Sequence, residues 1–173
     1  PGDMFETIVV ATDGSESVQR AVDVALDLAA RFDAAVHCLY VVDEGDVASS
    51  PDRLREEMQD ALVERGQEAI IAVQAATDRE VTTAIREGRP ASTIDTYARE
   101  IDADLVAMGT RGRHGENRFL VGSVAARTVP TAAWPRSKSA VRISSRSRSG
   151  DDSISVSSTT YRQCTAASNR SAR

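Results

Sequence analysis

Short apolar runs alternate with longer amphipathic stretches through the first two thirds of the chain. The runs are rich in β-branched residues, as buried strands are, and they cover Thr7–Thr12, Ala35–Val42, Val81–Ile85 and Leu105–Met108. The stretches between them carry apolar residues at helical spacing, from Ser15 to about Ala29, from Pro51 to about Ala76 and from Pro90 to about Glu100. Residues 43–50 are predicted to be a polar connection.

Two local features of these helices are predicted as well. Ser15 is a suitable N-cap for the first helix, and Glu16 stands in its first turn, where the helix dipole favours a negative charge. In the long second helix the apolar residues share one side, and they are Leu54, Met58, Ala61, Leu62, Ala69 and Val73.

This alternation predicts an α/β fold, an open, doubly wound parallel sheet of the Rossmann-like kind, because each helix carries the chain back between parallel strands. In such sheets ligands bind outside the carboxyl ends of the strands, where the strand order reverses. Three strand ends are expected to meet on one edge of the sheet, and they are Asp13-Gly14, Val42-Asp43 and the stretch 109–112.

Glycines punctuate the segment after the fourth run. Gly109 and Gly112 are followed nine residues later by Gly122-Ser123, where a new helix pattern starts. Glycine lets the backbone approach an anion closely, and the free N–H groups and dipole of a helix start favour negative charge. A strand, a glycine loop and a helix start in this order predict a phosphate-binding cradle.

These glycines carry a resemblance to a known family. The chain resembles the universal stress protein family in its ATP-binding branch, whose signature G-x2-G-x9-G-[ST] is present in full at residues 109–123. The strand end Ala11–Ser15, the strand end Val41–Asp43 and the turn Gly88–Pro90 also match, and the resemblance extends over about residues 4–129.

The resemblance implies a five-stranded, adenine nucleotide alpha hydrolase-like sheet that binds ATP. Asp13 would lie beside the ribose or the phosphates, the backbone of Val41 would meet the adenine edge, and Met108 and Gly109 would pass close to the sugar. The residues implied to hold the triphosphate are Gly112, Gly122, Ser123 and Val124. Magnesium or manganese arriving with the triphosphate is left open, and no metal-ligating cluster of the protein is expected.

Three of these assignments have structural alternatives. Asp13 can instead stabilise its own turn with Gly14, and Ser123 can instead cap a helix. Val41 can be an ordinary core valine and still present its backbone to a base.

The resemblance implies an ATP-binding protein of stress response or signalling, with little or no hydrolysis. Two alternatives stay open: a slow ATP hydrolase or autophosphorylating enzyme on the same fold, or a dimeric interaction module with a vestigial nucleotide site. No catalytic residue is assigned. Residues 1–135 contain no lysine and no G-x4-G-K-[ST] loop, which argues against fast phosphoryl transfer through a lysine.

Charge divides the chain in two. Residues 1–135 carry 24 Asp and Glu against 13 Arg, whereas residues 136–173 carry 8 Lys and Arg against 2 Asp. We take 1–135 as the nucleotide-binding domain and the Ser/Arg-rich remainder as an atypical tail, predicted to be largely disordered because it has few large apolar residues. The acidic domain argues against binding of nucleic acid. A lysine-free acidic surface suits a high-salt cytoplasm, and GC-rich coding would give the same arginine bias.

The C-terminal part departs from the family pattern after Arg127. A fifth strand is doubtful there because Pro130 and Pro135 oppose regular pairing, and the stretch 140–144 is the only short one that could substitute. Since the family's fifth strand commonly forms the dimer seam, we expect a homodimer by some route.

The cysteines and the overall hydropathy add little. Cys38 lies in an apolar run and is expected in the core, while Cys164 lies in the polar tail. The sequence has no run of 18 apolar residues, and we expect no membrane contact and a cytoplasmic location.

Overall fold

The computed structural model describes residues 5–109, 139–143 and 156–158 of the 173-residue chain. The helices and strands, in chain order, are β1 (Thr7–Thr12), α1 (Glu16–Phe32), β2 (Ala35–Asp43), α2 (Glu44–Ala48), α3 (Arg55–Ala75), β3 (Val81–Gly88), α4 (Pro90–Glu100), β4 (Leu105–Gly109), β5 (Ser139–Ile143) and β6 (Val156–Ser158).

These strands form one sheet in the order β3-β2-β1-β4-β5-β6. The first five are parallel, and β6 runs antiparallel to β5. The chain steps outward from β1 to β2 and β3, then crosses to the other side of β1 to form β4. This reversal confirms the predicted open, doubly wound sheet and puts its switch point between β1 and β4.

The doubtful fifth strand is present, and the substitute stretch supplies it. β5 pairs in parallel with β4 from Leu105↔Ser139 to Gly109↔Ile143. The short β6, which the sequence did not predict, pairs with the far side of β5. The remainder of residues 136–173 lies outside the described residues, so the predicted disorder of the tail stays a prediction.

Side chains of the central strands alternate between two buried layers, because successive residues of a strand point to opposite faces. One layer joins Ile8 and Val10 of β1 to Ala21 and Val22 of α1, and includes the packed residues of α3. The other layer joins Val9 and Ala11 of β1 and Leu39 of β2 to Ile94 and Tyr97 of α4. The sheet is therefore covered by α1 and α3 on one face and by α4 on the other.

One local prediction between β2 and β3 was wrong. The expected polar connection contains the helix α2, because the Asp43 carboxylate accepts the Gly45 N–H at 2.9 Å and caps it. The long helix begins with a 3₁₀ turn at Asp52–Leu54, and Leu54 and Met58 on its apolar side are 38% and 39% exposed. The buried residues of α3 begin only at Leu62.

Candidate functional site

The turn after β1 is built from three consecutive side chains. The Thr12 hydroxyl accepts the Gly14 N–H at 3.2 Å, and the Asp13 Oδ1 atom accepts the N–H and the hydroxyl of Ser15 at 3.0 and 2.6 Å. Gly14 has a φ of +74°, which glycine adopts without strain, and a Cβ there would meet the Ala69 Cβ of α3 at 3.3 Å. The turn is therefore fixed in shape and packed against α3.

Asp13 shows the turn-forming role that the sequence left open as an alternative. Ser15 occupies the N-cap position of α1 as predicted, but its hydroxyl donates to Asp13 and makes no capping hydrogen bond. Both hydrogen bonds that Ser15 donates go to the same carboxylate atom of Asp13, Oδ1. Thr12, which the sequence analysis did not single out, is part of the same turn and is buried.

The register of β2 brings Val41 to the level of this turn. The last pair of β1 and β2 is Thr12↔Tyr40, whereas β2 continues to pair with β3 as far as Asp43↔Gly88. Residues 41–43 thus extend past the last residue that β1 pairs with β2, at the level of Asp13. The Val41 side chain is partly buried and packs on the α4 side of the sheet.

β4 ends on the other side of β1 at the same level. Met108 is buried and pairs with Ala11, and Gly109 is the last residue of β4. The described members of the predicted site, Asp13, Val41, Met108 and Gly109, therefore gather at the carboxyl edge on both sides of the switch point. Gly112, Gly122, Ser123 and Val124 lie outside the described residues, so the phosphate cradle stays a prediction.

Asp104 connects β1 and β4 at their amino ends, on the side of the sheet away from the Asp13 turn. Its Oδ2 atom accepts the N–H groups of Glu6 and Thr7 at 2.8 and 3.0 Å, and its own N–H donates to the Thr7 carbonyl at 2.8 Å. These bonds fix the register of β4 against β1, and so the level at which Gly109 meets the Asp13 turn.

A second polar cluster lies between β3 and α4, away from the switch point. His37 Nδ1 is 3.1 Å from the Tyr97 hydroxyl, and the Arg86 guanidinium lies over the Tyr97 ring at 5.6 Å from its centroid. A cavity of about 240 Å³ adjoins this cluster, and Ser92, Thr93 and Glu100 are among its lining residues. These residues were not predicted, because their only signal in the sequence is the polar His37 within an apolar strand.

Burial shifts three pKa values on and beside this face. Desolvation lowers the pKa of His37 and raises the pKa of Cys38 to about 12. Burial also raises the pKa of Tyr97, with Arg86 opposing the shift and Glu100 and Cys38 adding to it. Cys38 is fully buried, as expected from its apolar run, and is thus a core residue with an unreactive thiol.

The described residues hold no group of three or more His, Cys, Asp or Glu side chains placed to bind a metal ion. Within that same part of the chain, no helix is both long and apolar enough to cross a membrane.

An open parallel sheet whose order reverses between β1 and β4 defines a Rossmann-like α/β protein. The chain belongs to the universal stress protein family, whose model matches residues 4–135. The resemblance to the universal stress protein family is thereby confirmed, whereas its ATP-binding branch stays a prediction.

Individual relatives agree. A universal stress protein of Methanocaldococcus jannaschii is 37% identical over 136 residues, which are 76% of this chain and 80% of that protein. The structure of the universal stress protein UspA from Lactobacillus plantarum covers 72% of this chain and 90% of its own, with 30% identity and a TM-score of 0.63. A universal stress protein in complex with cAMP covers 72% of this chain and 87% of its own, with 28% identity and a TM-score of 0.52.

Proposed function

We propose that this protein binds ATP at the switch point between β1 and β4, and acts in stress response or signalling with little or no hydrolysis. The observation that carries the proposal is the convergence of Asp13, Val41 and Gly109 at the carboxyl ends of the strands, where the glycine signature begins. Family membership supports it, as does the relative in complex with cAMP, another adenine nucleotide.

Three residues of the candidate site, Asp13, Val41 and Gly109, have a chemical role in this proposal. The Asp13 carboxylate accepts hydrogen bonds from ribose hydroxyls, and its turn is already held by Ser15 and Gly14. The backbone of Val41 meets the adenine edge, where β2 has passed its last pair with β1. Gly109 brings the chain past the sugar without a side chain, and N–H groups of the following loop neutralise the phosphates.

Slow or absent hydrolysis follows from the composition of the domain. Phosphoryl transfer in nucleotide hydrolases relies on cations that stabilise charge on the transferred group, commonly a lysine. Residues 1–135 contain arginines but no lysine.

We also propose that the protein works as a homodimer in the cytoplasm.

Calorimetric titration with ATP, ADP, AMP and cAMP, with and without magnesium or manganese, tests nucleotide binding. Asp13→Asn keeps an oxygen for the Ser15 hydrogen bonds but removes the charge, and we expect about tenfold weaker ATP binding. The control is Asp78→Asn. Asp78 is exposed and precedes β3, at the amino ends of the strands, so this variant should bind ATP like the wild type. Absence of binding heat and of thermal stabilisation at millimolar ATP would contradict the proposal, since a ligand of the native state must stabilise it.

A further inference from the structure

The outer side of β3 is a long, regular sheet edge. β3 pairs with β2 without interruption from Val36↔Val81 to Asp43↔Gly88, and no other strand of the described residues pairs with its outer side. The opposite edge of the sheet is the three-residue β6. Because unpaired N–H and C=O groups of a long edge are a template for another strand, β3 is the edge suited to pairing.

This edge lacks the features by which proteins usually protect such strands. Val81–Ile85 contains no charge, no proline and no bulge, and all but one of its residues are β-branched. Thr82 and Thr83 in its centre are exposed.

The charged residues that follow are directed to the faces of the sheet rather than along its edge. The Arg86 guanidinium lies over the Tyr97 ring and 3.6 Å from the Glu100 carboxylate, on the α4 side. Glu87 accepts a hydrogen bond from Gln59 of α3 at 2.7 Å, on the opposite face. Both remain exposed and can take a second partner.

The sequence of this edge is complementary to itself when reversed. When two copies of residues 79–87 run antiparallel with Thr83 opposite Thr83, Glu80 falls opposite Arg86 and Arg79 falls opposite Glu87. The same two charge pairs recur on the other side of the centre, and Val81 stands opposite Ile85. Opposite residues of an antiparallel pair share a face and lie in contact. Glu80 directly precedes β3, whereas Arg79 lies in a bend and donates to Asp33 at 2.7 Å, so the two Glu80–Arg86 pairs carry most of the charge complementarity.

Neighbouring registers lose this complementarity. Displacing one copy by one residue puts Arg79 opposite Arg86 in one direction and Glu80 opposite Glu87 in the other. Displacing it by two residues leaves no pair of unlike charges within residues 79–87. Like charges directly opposite each other are destabilising, so the charges select the register centred on Thr83.

We propose that β3 pairs antiparallel with β3 of a second copy of this chain, about a twofold axis at Thr83, and joins the two sheets into one. This inference rests on the proposed homodimer and names its surface, and it is independent of nucleotide binding. The strand ladder supplies the attachment. The exposed Glu80–Arg86 pairs, each worth up to about fivefold in affinity, set the register.

Cysteine cross-linking tests the register. In a Cys164→Ser background, Thr83→Cys places two thiols directly opposite each other, within the range of a disulfide. The matched control is Thr82→Cys, the same residue type on the same exposed strand, whose two copies are displaced by two residues and lie about 7–8 Å apart. Cys38 is buried and does not compete.

We expect mild oxidation to give a disulfide-linked dimer with Thr83→Cys and little with Thr82→Cys. Equal cross-linking of both variants, or more with Thr82→Cys, would overturn the register. A wild-type dimer in light scattering that cross-links at neither position would overturn the surface while the homodimer stands. A wild-type monomer at micromolar concentration would refute the homodimer itself, and nucleotide binding would be unaffected.

A charge exchange provides a second measurement. Glu80→Arg alone puts like charges opposite Arg86 at two places, and we expect about tenfold weaker dimerisation in sedimentation experiments. Arg86→Glu alone should weaken the dimer similarly, and the double variant should restore it. A double variant no tighter than either single variant would contradict the proposed pairing.

Discussion

Gly66 shows how closely α3 approaches the sheet at the level of one residue. A Cβ at this position would lie 2.6 Å from Cδ1 of Tyr40, whose side chain is fully buried in β2. No real contact of this kind is so short, and a buried ring cannot move aside freely. Gly66 is therefore required by packing although glycine is unfavourable inside a helix.

Gly66→Ala tests this contact, because helix propensity and packing predict opposite signs. At an exposed helix position alanine is more stabilising than glycine by about 1 kcal/mol, whereas overpacking of a core costs about 1–3 kcal/mol. We expect a lower free energy of unfolding in urea denaturation, with Gln67→Ala at the neighbouring exposed position as the control. An increase in stability for Gly66→Ala would show that Tyr40 does not occupy this space.

His37 makes the stability of the fold depend on pH. Its folded pKa lies below the unfolded value of 6.5 because burial disfavours the charged ring. Below pH 6.5 the unfolded state therefore binds more protons than the folded state does. The free energy of unfolding is highest above pH 6.5, where the ring is neutral in both states, and it falls as the pH decreases toward the folded pKa. We expect the melting temperature of His37→Gln to depend less on pH in this window.

Gln67→Ala, an uncharged variant at an exposed position of α3, provides the control and should keep the wild-type pH profile. Identical profiles for His37→Gln and the wild type would contradict the assignment of the acid-sensitive group.

At the scale of elements, the pairing of β1 with β4 decides where the candidate site forms. Asp104 holds two backbone N–H groups at the start of β1, at the edge opposite to Asp13. Hydrogen bonds to a charged acceptor contribute about 1.5–3 kcal/mol when sheltered, and less where water competes.

Asp104→Ala should therefore lower the free energy of unfolding by about 1–2 kcal/mol. Asp104→Asn keeps one acceptor oxygen and should lose less. We also expect Asp104→Ala to weaken ATP binding, because the strand ends that converge on the site lose a constraint. Wild-type stability of Asp104→Ala in denaturant would contradict this role.

Elements with a strong hydrophobic period were predictable from the sequence, and those made by local hydrogen bonds were not. The apolar runs and the helix from Pro90 to Glu100 were identified because burial imposes their period. The helix α2 was missed because it buries none of its residues and depends on the Asp43 cap. Leu54 and Met58 lie on the apolar side of their helix and are still exposed, because helical spacing does not show where the sheet beneath a helix ends.

At the scale of the whole molecule, too, part of the candidate site was predictable from the sequence and part was not. Residues that follow parallel strands could be brought together from sequence, since parallel strands end at one edge. The structure adds the register, which places Val41 beyond the end of the β1 ladder. The sequence could not give the His37–Tyr97 cluster, because its members are 60 residues apart and meet only in the folded chain.

An amide chemical-shift titration of the isotope-labelled protein with ATP tests the proposed nucleotide site most directly. If ATP binds at the switch point, the largest shifts will be at Gly14, Val41 and Gly109. Thr93, beside the cavity between β3 and α4, should be unaffected. Shifts concentrated at Thr93 and Tyr97, or no saturable shift at Gly14 and Gly109, would contradict a nucleotide site at the carboxyl ends of β1 and β4.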